Sequence, residues 1–239
     1  MCKKIITITS GHTIVKIDDV RHISNFSSGI TGAKIAENFL YNGYYVNFLC
    51  AKNSVKPFIR NLSINHNFDF NKEIERMKNN FNILNKLKNN LNIQEFITYD
   101  DYLNNITSVA KNSDVIILCA AVSDYYIQSV KGKISSNREV LNLKLKKTKK
   151  IIHHIKEFNP NIIQVGFKLL IDSNYEEMKK IGIKNFYLHN SDILVVNSLN
   201  SKTMKPKLTM MILKNTSYIL DRLELENRLL KEVESILYN

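Results

Sequence analysis

Hydrophobic and polar positions alternate along the chain with two periods, one typical of short strands and one typical of longer amphipathic helices. Ile5 to Thr9 predicts a first strand, and Thr31 to Tyr41 predicts a helix that Gly43 ends. The other predicted strands are Tyr45 to Cys50, Ile93 to Ile97, Val115 to Ala121, Leu141 to Leu145, Ile162 to Phe167, Ile193 to Asn197, and the hairpin pair Leu208 to Leu213 with Tyr218 to Leu220. The other predicted helices are Asn71 to Asn90, Tyr99 to Lys111, Lys149 to Phe158, Tyr175 to Lys184 and Glu224 to Leu237.

Strands that alternate with helices predict an α/β fold of the Rossmann-like, three-layer kind, with a mostly parallel sheet between helices. Val115 to Ala121 is uniformly apolar, as a central strand covered on both faces should be. The two closely spaced strands near the C-terminal end predict a small antiparallel appendage. Because no Pro-rich or Gly/Ser-rich linker interrupts the pattern, we expect residues 1–239 to form a single domain.

Composition narrows the setting in which the protein works. Its apolar runs are too short to cross a bilayer, and MCKK leads directly into a strand with no secretory signal pattern. We therefore expect a cytoplasmic protein without a membrane partner. The three cysteines are an odd number without metal-ligand spacing, which favours core thiols and no dedicated metal site.

A net charge of +12 and a pI near 9.5 favour acidic partners, which could be nucleic acid, an anionic surface or small phosphorylated substrates. Lysine and asparagine are abundant throughout the chain, including the segment from 79 to 92, so a compositional bias of the source competes with this interpretation. Charge alone therefore does not choose among the three.

Two glycine-containing loops should lie at the carboxyl edge of the sheet, where ligands of such folds bind. They are Ser10-Gly11, after the first strand, and Ser27-Ser28-Gly29, directly before the first helix. A helix N-terminus carries open N–H groups and partial positive charge, and glycine allows a phosphate to approach the backbone. The alternative is structural: Thr31 caps the helix and Gly29 turns the chain.

Seven segments carry a more specific resemblance. TSGH at 9–12, DDVRHISNFSSGITG at 18–32 and AAVSDYY at 120–126 resemble the TSGGT, DPVRFISNxSSGxxG and AAVADY motifs of phosphopantothenoylcysteine synthetase, the ligase of coenzyme A biosynthesis. The likeness continues in order through KGKISS at 131–136, LKLKKTKKIIHHI at 143–155, GFKLL at 166–170 and DILVVN at 192–197. The KISS and GFKLL versions resemble the short stand-alone bacterial form, without the flavin-dependent decarboxylase domain.

The resemblance implies a two-step ligation. CTP activates the carboxylate of 4′-phosphopantothenate as an acyl-cytidylate, and the amine of L-cysteine then displaces CMP. It also implies Mg²⁺ carried by the triphosphate and a homodimer, in which a flap at about residues 130–142 covers the partner's site.

The same resemblance assigns roles to individual residues. Asn25 would bind the reacting carboxylate, Lys133 would neutralise the departing pyrophosphate, and Arg21 is a candidate for binding substrate phosphate or carboxylate. Ser135 and Ser136 stand where other members carry cations. The residues implied at the nucleotide are Gly11, Ser27, Ser28, Gly29, Leu118, Cys119, Ala120, Asp124, Lys133, Lys149, Lys150, Ile151, Ile152, Phe167 and Lys184.

Each of these residues also has a structural alternative. Asn25 would be a turn residue that caps Ser27, and Arg21 a member of a surface or interface ion pair. Asp124 would cap a strand end. Phe167 would be core, and Lys184 would be solvent-exposed.

Two other classes of function would each require a feature that the sequence lacks. A nicotinamide-dependent reductase would need G-x-G-x-x-G and an acidic residue after the second strand, where the chain has Cys50-Ala51-Lys52. A nucleic-acid-binding module would need aromatic residues among its basic ones, and Lys144 to Lys150 contains none. The sequence therefore favours the ligase, with no nucleic-acid partner.

Overall fold

The protein is seen here as a computed structural model that describes residues 3–59, 69–137 and 139–238. The strands are β1 (Ile5–Ser10), β2 (Ile14–Lys16), β3 (His22–Ser24), β4 (Tyr45–Ala51), β5 (Leu91–Phe96), β6 (Val115–Leu118), β7 (Tyr125–Tyr126), β8 (Lys146–Lys147), β9 (Ile163–Ile171), β10 (Ile193–Leu199), β11 (Pro206–Leu213) and β12 (Thr216–Leu220). The helices are α1 (Ile30–Tyr41), α2 (Phe70–Leu87), α3 (Tyr99–Ala110), α4 (Ile155–Phe158), α5 (Tyr175–Leu188) and α6 (Leu225–Tyr238), with 3₁₀ turns at Lys88–Asn90 and Ile151–His153. Cys2 and residues 60–68 lie outside the described residues.

Eight strands form one sheet in the order β12-β11-β10-β9-β6-β1-β4-β5. From β10 to β5 all neighbours are parallel, whereas β11 runs antiparallel to both β10 and β12. The predicted α/β class and the antiparallel appendage are both confirmed. The appendage reverses the chain at the sheet edge, so that α6 packs beside α1.

Alternating side chains of the central strands bury both faces of the sheet. Val115 and Ile117 of β6 face the layer of α1 and α6, while Ile116 and Leu118 face the layer of α3 and α4. In the same way, Leu194 of β10 packs with α5. This two-sided burial explains why β6 is uniformly apolar. Within the described residues, no helix is both long enough and apolar enough to cross a membrane.

Three predicted elements are wrong in detail. Residues 141–145 form no strand, because their apolar side chains are exposed or half-buried on an irregular segment, and the pairing begins at β8. The predicted helix Lys149 to Phe158 is split into a 3₁₀ turn and the short α4. The predicted strand Val115 to Ala121 stops at Leu118, where the chain turns into a loop.

A small hairpin formed by β2 and β3 projects beyond the carboxyl edge of the sheet. Asp18, at its turn, is buried and accepts hydrogen bonds from the Arg21 guanidinium and from the backbone N–H of Ile134, with Nε···Oδ2 and N···Oδ2 distances of 2.9 and 3.0 Å. The Arg21 hydrogen bond, followed by those of the backbone, holds the pKa of the Asp18 carboxyl well below its usual range. This ionised carboxylate ties the hairpin to the strap, our name for residues 130–137 and 139–142.

Candidate active site

The loop after β1 and the turn before α1 are packed tightly against each other. Gly11 and Gly29 both have φ of +81°, and the Ser10 hydroxyl donates to the Gly29 carbonyl at 2.9 Å. A Cβ on Gly11 would lie 2.7 Å from the Cβ atoms of Ala51 and Ser54, so no larger residue fits. The two loops therefore form one rigid floor at the carboxyl edge.

Helix α1 begins directly after the second of these loops. Its N-cap residue, Gly29, is left-handed and offers no side-chain cap, and the first turn contains no acidic residue. The structural alternative that Thr31 caps the helix is wrong, because Thr31 lies within the first turn and its hydroxyl accepts a hydrogen bond from Arg222. The helix end thus keeps the partial positive charge that attracts anions.

Asn25 lies in the exposed loop between β3 and α1. Its side-chain amide donates to the carbonyl of Ala121 at 3.3 Å, rather than capping Ser27. The N–H of Ala121 donates to the carbonyl of Gly11 at 2.8 Å. Asn25 is therefore fixed where three loops meet. His12, in the loop after β1, bonds through Nδ1 to the Ser27 carbonyl at 2.9 Å.

A cleft of about 460 Å³, which we call the lysine cleft, lies between the end of β6, the 3₁₀ turn, β9 and α5. It brings together residues predicted from three separate segments of the sequence. They are Leu118, Ala120, Asp124, Lys149, Lys150, Ile151, Ile152 and Phe167. The interpretation of Phe167 as a core residue is only partly right, since its half-buried ring packs on the core and also lines the cleft.

Lysines dominate the charge of this cleft. Lys147, Lys149, Lys150 and Lys168 line it, and Lys150 Nζ lies 2.6 Å from Asp124 Oδ1. Both members of this ion pair are about half exposed, so the pair is open to exchange for a ligand. The cleft is suited to a molecule with several negative charges and a planar apolar part.

A second cavity of about 510 Å³, the helix cavity, lies at the N-terminus of α1. Predicted residues Ser27, Ser28, Gly29 and Cys119 line it. Ala120, Ala121, Phe167, Lys168 and Leu169 line both the helix cavity and the lysine cleft. Asn25 hydrogen-bonds to Ala121, one of these shared residues, but does not itself line either cavity.

Five predicted residues do not line these cavities. Gly11 and Asn25 are hydrogen-bonded to Ala121, which does line them, whereas Arg21, Lys133 and Lys184 are held elsewhere. Arg21 pairs with Asp18 and donates to the Ile134 carbonyl at 2.7 Å, as the ion-pair alternative proposes. Lys133 is exposed on the strap, and Lys184 is exposed on α5, outside both cavities. The neighbour of Lys184, Asn185, lines the lysine cleft in its place.

Several polar residues that line the cavities were not predicted from the sequence. Asn185, His189 and His153 lie in the lysine cleft, and Arg222 lies in the helix cavity. No local sequence pattern identifies these residues, although His189 lies shortly before the DILVVN motif at 192–197, which begins strand β10. The His153 and His189 rings face each other with centroids 5.2 Å apart.

Burial, followed by the charges of the nearby His153, Lys150 and Lys168, lowers the pKa of His189 from 6.5 to about 4. Burial also lowers the pKa of His153. Both imidazoles are therefore neutral at physiological pH.

Because His189 is neutral in the folded protein, its burial should make the stability of the protein depend on pH. An unfolded chain binds a proton at this histidine below about pH 6.5 and the folded chain does not until about pH 4, so stability falls as pH drops through that window. We expect His189→Asn to reduce the loss of melting temperature between pH 7.5 and 5 by about 2–4 °C, as for an effect of about 1 kcal/mol. His154→Asn is the control, since His154 is exposed and pairs with Glu157. An equal acid response in wild type and His189→Asn would contradict the assignment.

Among the residues that the structure describes, no group of three or more His, Cys, Asp or Glu side chains is arranged to hold a metal ion. The Asp124 carboxylate in the lysine cleft is paired with Lys150, so a Mg²⁺ there would be held mainly by the phosphates of a ligand and by water.

Comparison with known proteins finds a matching family and relatives of similar sequence. Residues 1–87 and 81–235 match the family described as "DNA/pantothenate metabolism flavoprotein C-terminal domain". The chain is 29% identical over 239 residues to the coenzyme A biosynthesis bifunctional protein CoaBC of Thermococcus kodakarensis, covering 98% of this chain and 52% of that protein. It is 38% identical over 144 residues to a phosphopantothenate–cysteine ligase of Saccharomyces cerevisiae, covering 52% of this chain and 40% of that one. The chain thus matches about half, or less, of the length of these two relatives.

Two solved structures resemble the fold closely. A DNA/pantothenate metabolism flavoprotein from Streptococcus pneumoniae superposes with a TM-score of 0.76 and 28% identity, covering 98% of this chain and 99% of that chain. A Cab2 variant in complex with phosphopantothenate-cysteine superposes with a TM-score of 0.79 and 25% identity, covering 98% and 86%.

Proposed function

The chain belongs to the DNA/pantothenate metabolism flavoprotein C-terminal domain family, and from this membership we propose that it is a phosphopantothenate–cysteine ligase of coenzyme A biosynthesis. The ligase named among its relatives and the neighbour bound to phosphopantothenate-cysteine support this proposal. The observation that carries it is the hydrogen bond from Asn25 to Ala121, a residue that lines both the lysine cleft and the helix cavity.

The proposed reaction has two steps. A carboxylate oxygen of 4′-phosphopantothenate attacks the α-phosphorus of CTP, and the bond to pyrophosphate breaks. The amine of L-cysteine then attacks the acyl carbon of the acyl-cytidylate, the acyl C–O bond breaks, and CMP leaves while the amine loses a proton. Two connected cavities suit such a reaction, because one can hold the nucleotide and the other the acid.

The lysine cleft would hold CTP. Phe167 and Ile152 offer apolar surface for the base, and the lysines offer charge for the triphosphate. The Asp124 carboxylate would leave its ion pair with Lys150 and accept hydrogen bonds from the ribose hydroxyls of CTP. Mg²⁺ would enter with the triphosphate and neutralise its charge.

Asn25 would bind the reacting carboxylate next to Ala121. An amide offers an N–H donor to the charge that develops there, and it does not compete as a nucleophile. Its hydrogen bond to the Ala121 carbonyl fixes the side chain before substrate arrives. The helix cavity would then receive the rest of 4′-phosphopantothenate.

We also propose a homodimer in which the strap reaches the partner's cleft. Backbone bonds between Val130 and Ile17 and between Asp19 and Gly132 hold the strap on the hairpin of its own chain, outside that chain's cavities. Val20, Val130, Tyr125 and Tyr126 expose apolar surface on this face. This placement would bring Lys133 and Arg21 to a site in a second copy.

The ligase is tested by incubating the purified protein with 4′-phosphopantothenate, L-cysteine, Mg²⁺ and either CTP or ATP while pyrophosphate is measured. We expect release that requires phosphopantothenate and is faster with CTP. Release without phosphopantothenate, or none with either nucleotide, would reject the ligase. Faster release with ATP would reject only the CTP preference.

Replacing Lys133 with glutamine should slow pyrophosphate release by about 10- to 100-fold, since one charge-assisted contact to the triphosphate is lost. Lys133 is exposed, so the melting temperature without ligand should stay nearly unchanged. Lys131→Gln, a second exposed lysine of the strap, is the matched control. A large drop in melting temperature would instead mark Lys133 as structural.

A further inference from the structure

Residues 147–149, which we call the shared segment, border two cavities at once. They line the lysine cleft, and they also line a separate cavity of about 480 Å³, the tyrosine cavity. The tyrosine cavity lies between β2, the first turns of α3 and the chain after β7, and Tyr99 and Tyr126 are among its lining residues. Because open space adjoins the shared segment in two places, side-chain packing contributes little to holding it in position.

Hydrogen bonds instead hold the shared segment to two neighbouring parts of the fold. The Thr148 N–H donates to the Asp124 carbonyl at 2.9 Å, and the Thr148 hydroxyl donates to the Ser123 carbonyl at 2.8 Å. These two bonds tie the segment to the loop after β6. The Tyr99 hydroxyl donates to the Lys149 carbonyl at 2.9 Å and ties the same segment to helix α3.

Tyr99 is a firmly placed donor. It is the first residue of α3, and a capping box formed by Thr98 and Asp101 fixes that end of the helix. The buried Tyr102, one turn further on, packs in the core. Burial, followed by the nearby Asp100 carboxylate, raises the pKa of the Tyr99 hydroxyl, so the phenol keeps its proton and remains a donor at neutral pH.

The backbone that Tyr99 holds carries two lysines of the lysine cleft. Lys149 and Lys150 both line the cleft, whereas Tyr99 does not. Tyr99 can therefore affect a ligand in the cleft only through the chain that it holds. Fixing the backbone at Lys149 leaves fewer conformations for the two lysines to lose when they bind an anion, and such preorganisation strengthens binding.

We propose that Tyr99 is a positioning residue for the nucleotide, because its hydrogen bond to the Lys149 carbonyl holds Lys149 and Lys150 ready for the triphosphate. This inference rests on the proposed function, in which the lysine cleft holds CTP. The acid is assigned to Asn25 and to the helix cavity, which the shared segment does not line. The effect of Tyr99 therefore belongs in nucleotide affinity and not in binding of the acid.

The test measures CTP affinity by calorimetry in wild type and in Tyr99→Phe, which removes the hydroxyl and keeps the ring. We expect the variant to bind CTP about 3- to 10-fold more weakly, as for the net loss of one hydrogen bond. In turnover, KM for CTP should rise by a similar factor, while kcat and KM for phosphopantothenate change less than about twofold. Tyr187→Phe is the matched control, because the exposed Tyr187 of α5 lines neither the lysine cleft nor the tyrosine cavity.

A double-mutant cycle separates positioning from a general structural role. Tyr99→Phe should weaken CTP binding less in a Lys149→Gln background than in wild type, because one of the cations that it positions is then absent. Wild-type CTP affinity in Tyr99→Phe, or the same fold loss in both backgrounds, would overturn the proposal. Equal increases in KM for CTP and for phosphopantothenate, together with a lower melting temperature, would mark Tyr99 as structural and would also overturn it.

The positioning role and the ligase fail separately. Ligase activity with a CTP affinity that Tyr99→Phe leaves unchanged would keep the enzyme and remove the role of Tyr99. CTP binding that depends on Tyr99, in a protein that releases no pyrophosphate with phosphopantothenate, would keep the role of Tyr99 and remove the ligase.

Discussion

Asn25→Asp should lower the rate of pyrophosphate release by at least about 10³-fold, as for loss of one donor to a developing charge. The change replaces an amide N–H donor with a carboxylate that repels the reacting carboxylate, and it alters no volume. Asn25 is exposed and makes one long hydrogen bond, to Ala121 at 3.3 Å, so the fold should be kept. The measurements are pyrophosphate release at saturating CTP, CTP affinity and melting temperature.

Asn215→Asp is the matched control for this variant. Asn215 is exposed in the turn between β11 and β12, where aspartate is well tolerated, so activity and stability should both be kept. A rate for Asn25→Asp within about tenfold of wild type would show that Asn25 does not stabilise the reacting centre. Weakened CTP binding of the same size would place Asn25 at the nucleotide instead.

Gly11→Ala should destabilise the protein by about 2–5 kcal/mol. About 1–2 kcal/mol comes from a side chain at φ of +81°, and about 1–3 kcal/mol comes from forcing a methyl group into a filled space. The added Cβ would lie 2.7 Å from the Cβ atoms of both Ala51 and Ser54, so the loop must move. Since the Gly11 carbonyl holds Ala121, nucleotide binding should weaken as well. Urea unfolding and CTP calorimetry measure the two effects.

Gly43→Ala separates the two causes. Gly43 has φ of +84°, close to that of Gly11, but among the described residues no atom beyond its two chain neighbours lies within 4 Å of its added Cβ. Only the conformational cost of about 1–2 kcal/mol should remain, and CTP binding should be unchanged. Equal destabilisation in the two variants would show that the contacts around Gly11 do not matter.

Periodicity and short apolar runs predicted the elements that pack in the core. Helix α1 and strands β1, β4 and β9 lie within a few residues of their predicted bounds, because α1 carries an apolar stripe and the strands are short runs of mostly buried residues. The hairpin of β2 and β3 was missed, since each strand has three residues and His22–Ser24 is exposed throughout. Residues 141–145 show the opposite error, because an alternating pattern alone does not create a pairing partner.

Motif resemblance located the lysine cleft where periodicity could not. Asp124 and Lys150 are 26 positions apart, yet they form an ion pair at its mouth. His189 and Arg222 were missed because their contacts depend on how distant elements pack, and no spacing along the chain encodes that. The roles of Arg21 and Lys133 stay predictions, since their own chain holds them away from the cavities.

The reversed strand pair β11 and β12 has a consequence for how the protein is made. By turning the chain back, it lets Arg222 touch Thr31 across 191 positions. A nascent chain that has emerged only through β10 holds nearly every wall of the lysine cleft, but it lacks the arginine that closes the helix cavity. The growing polypeptide should therefore complete the helix cavity late, when the last helix docks against the first.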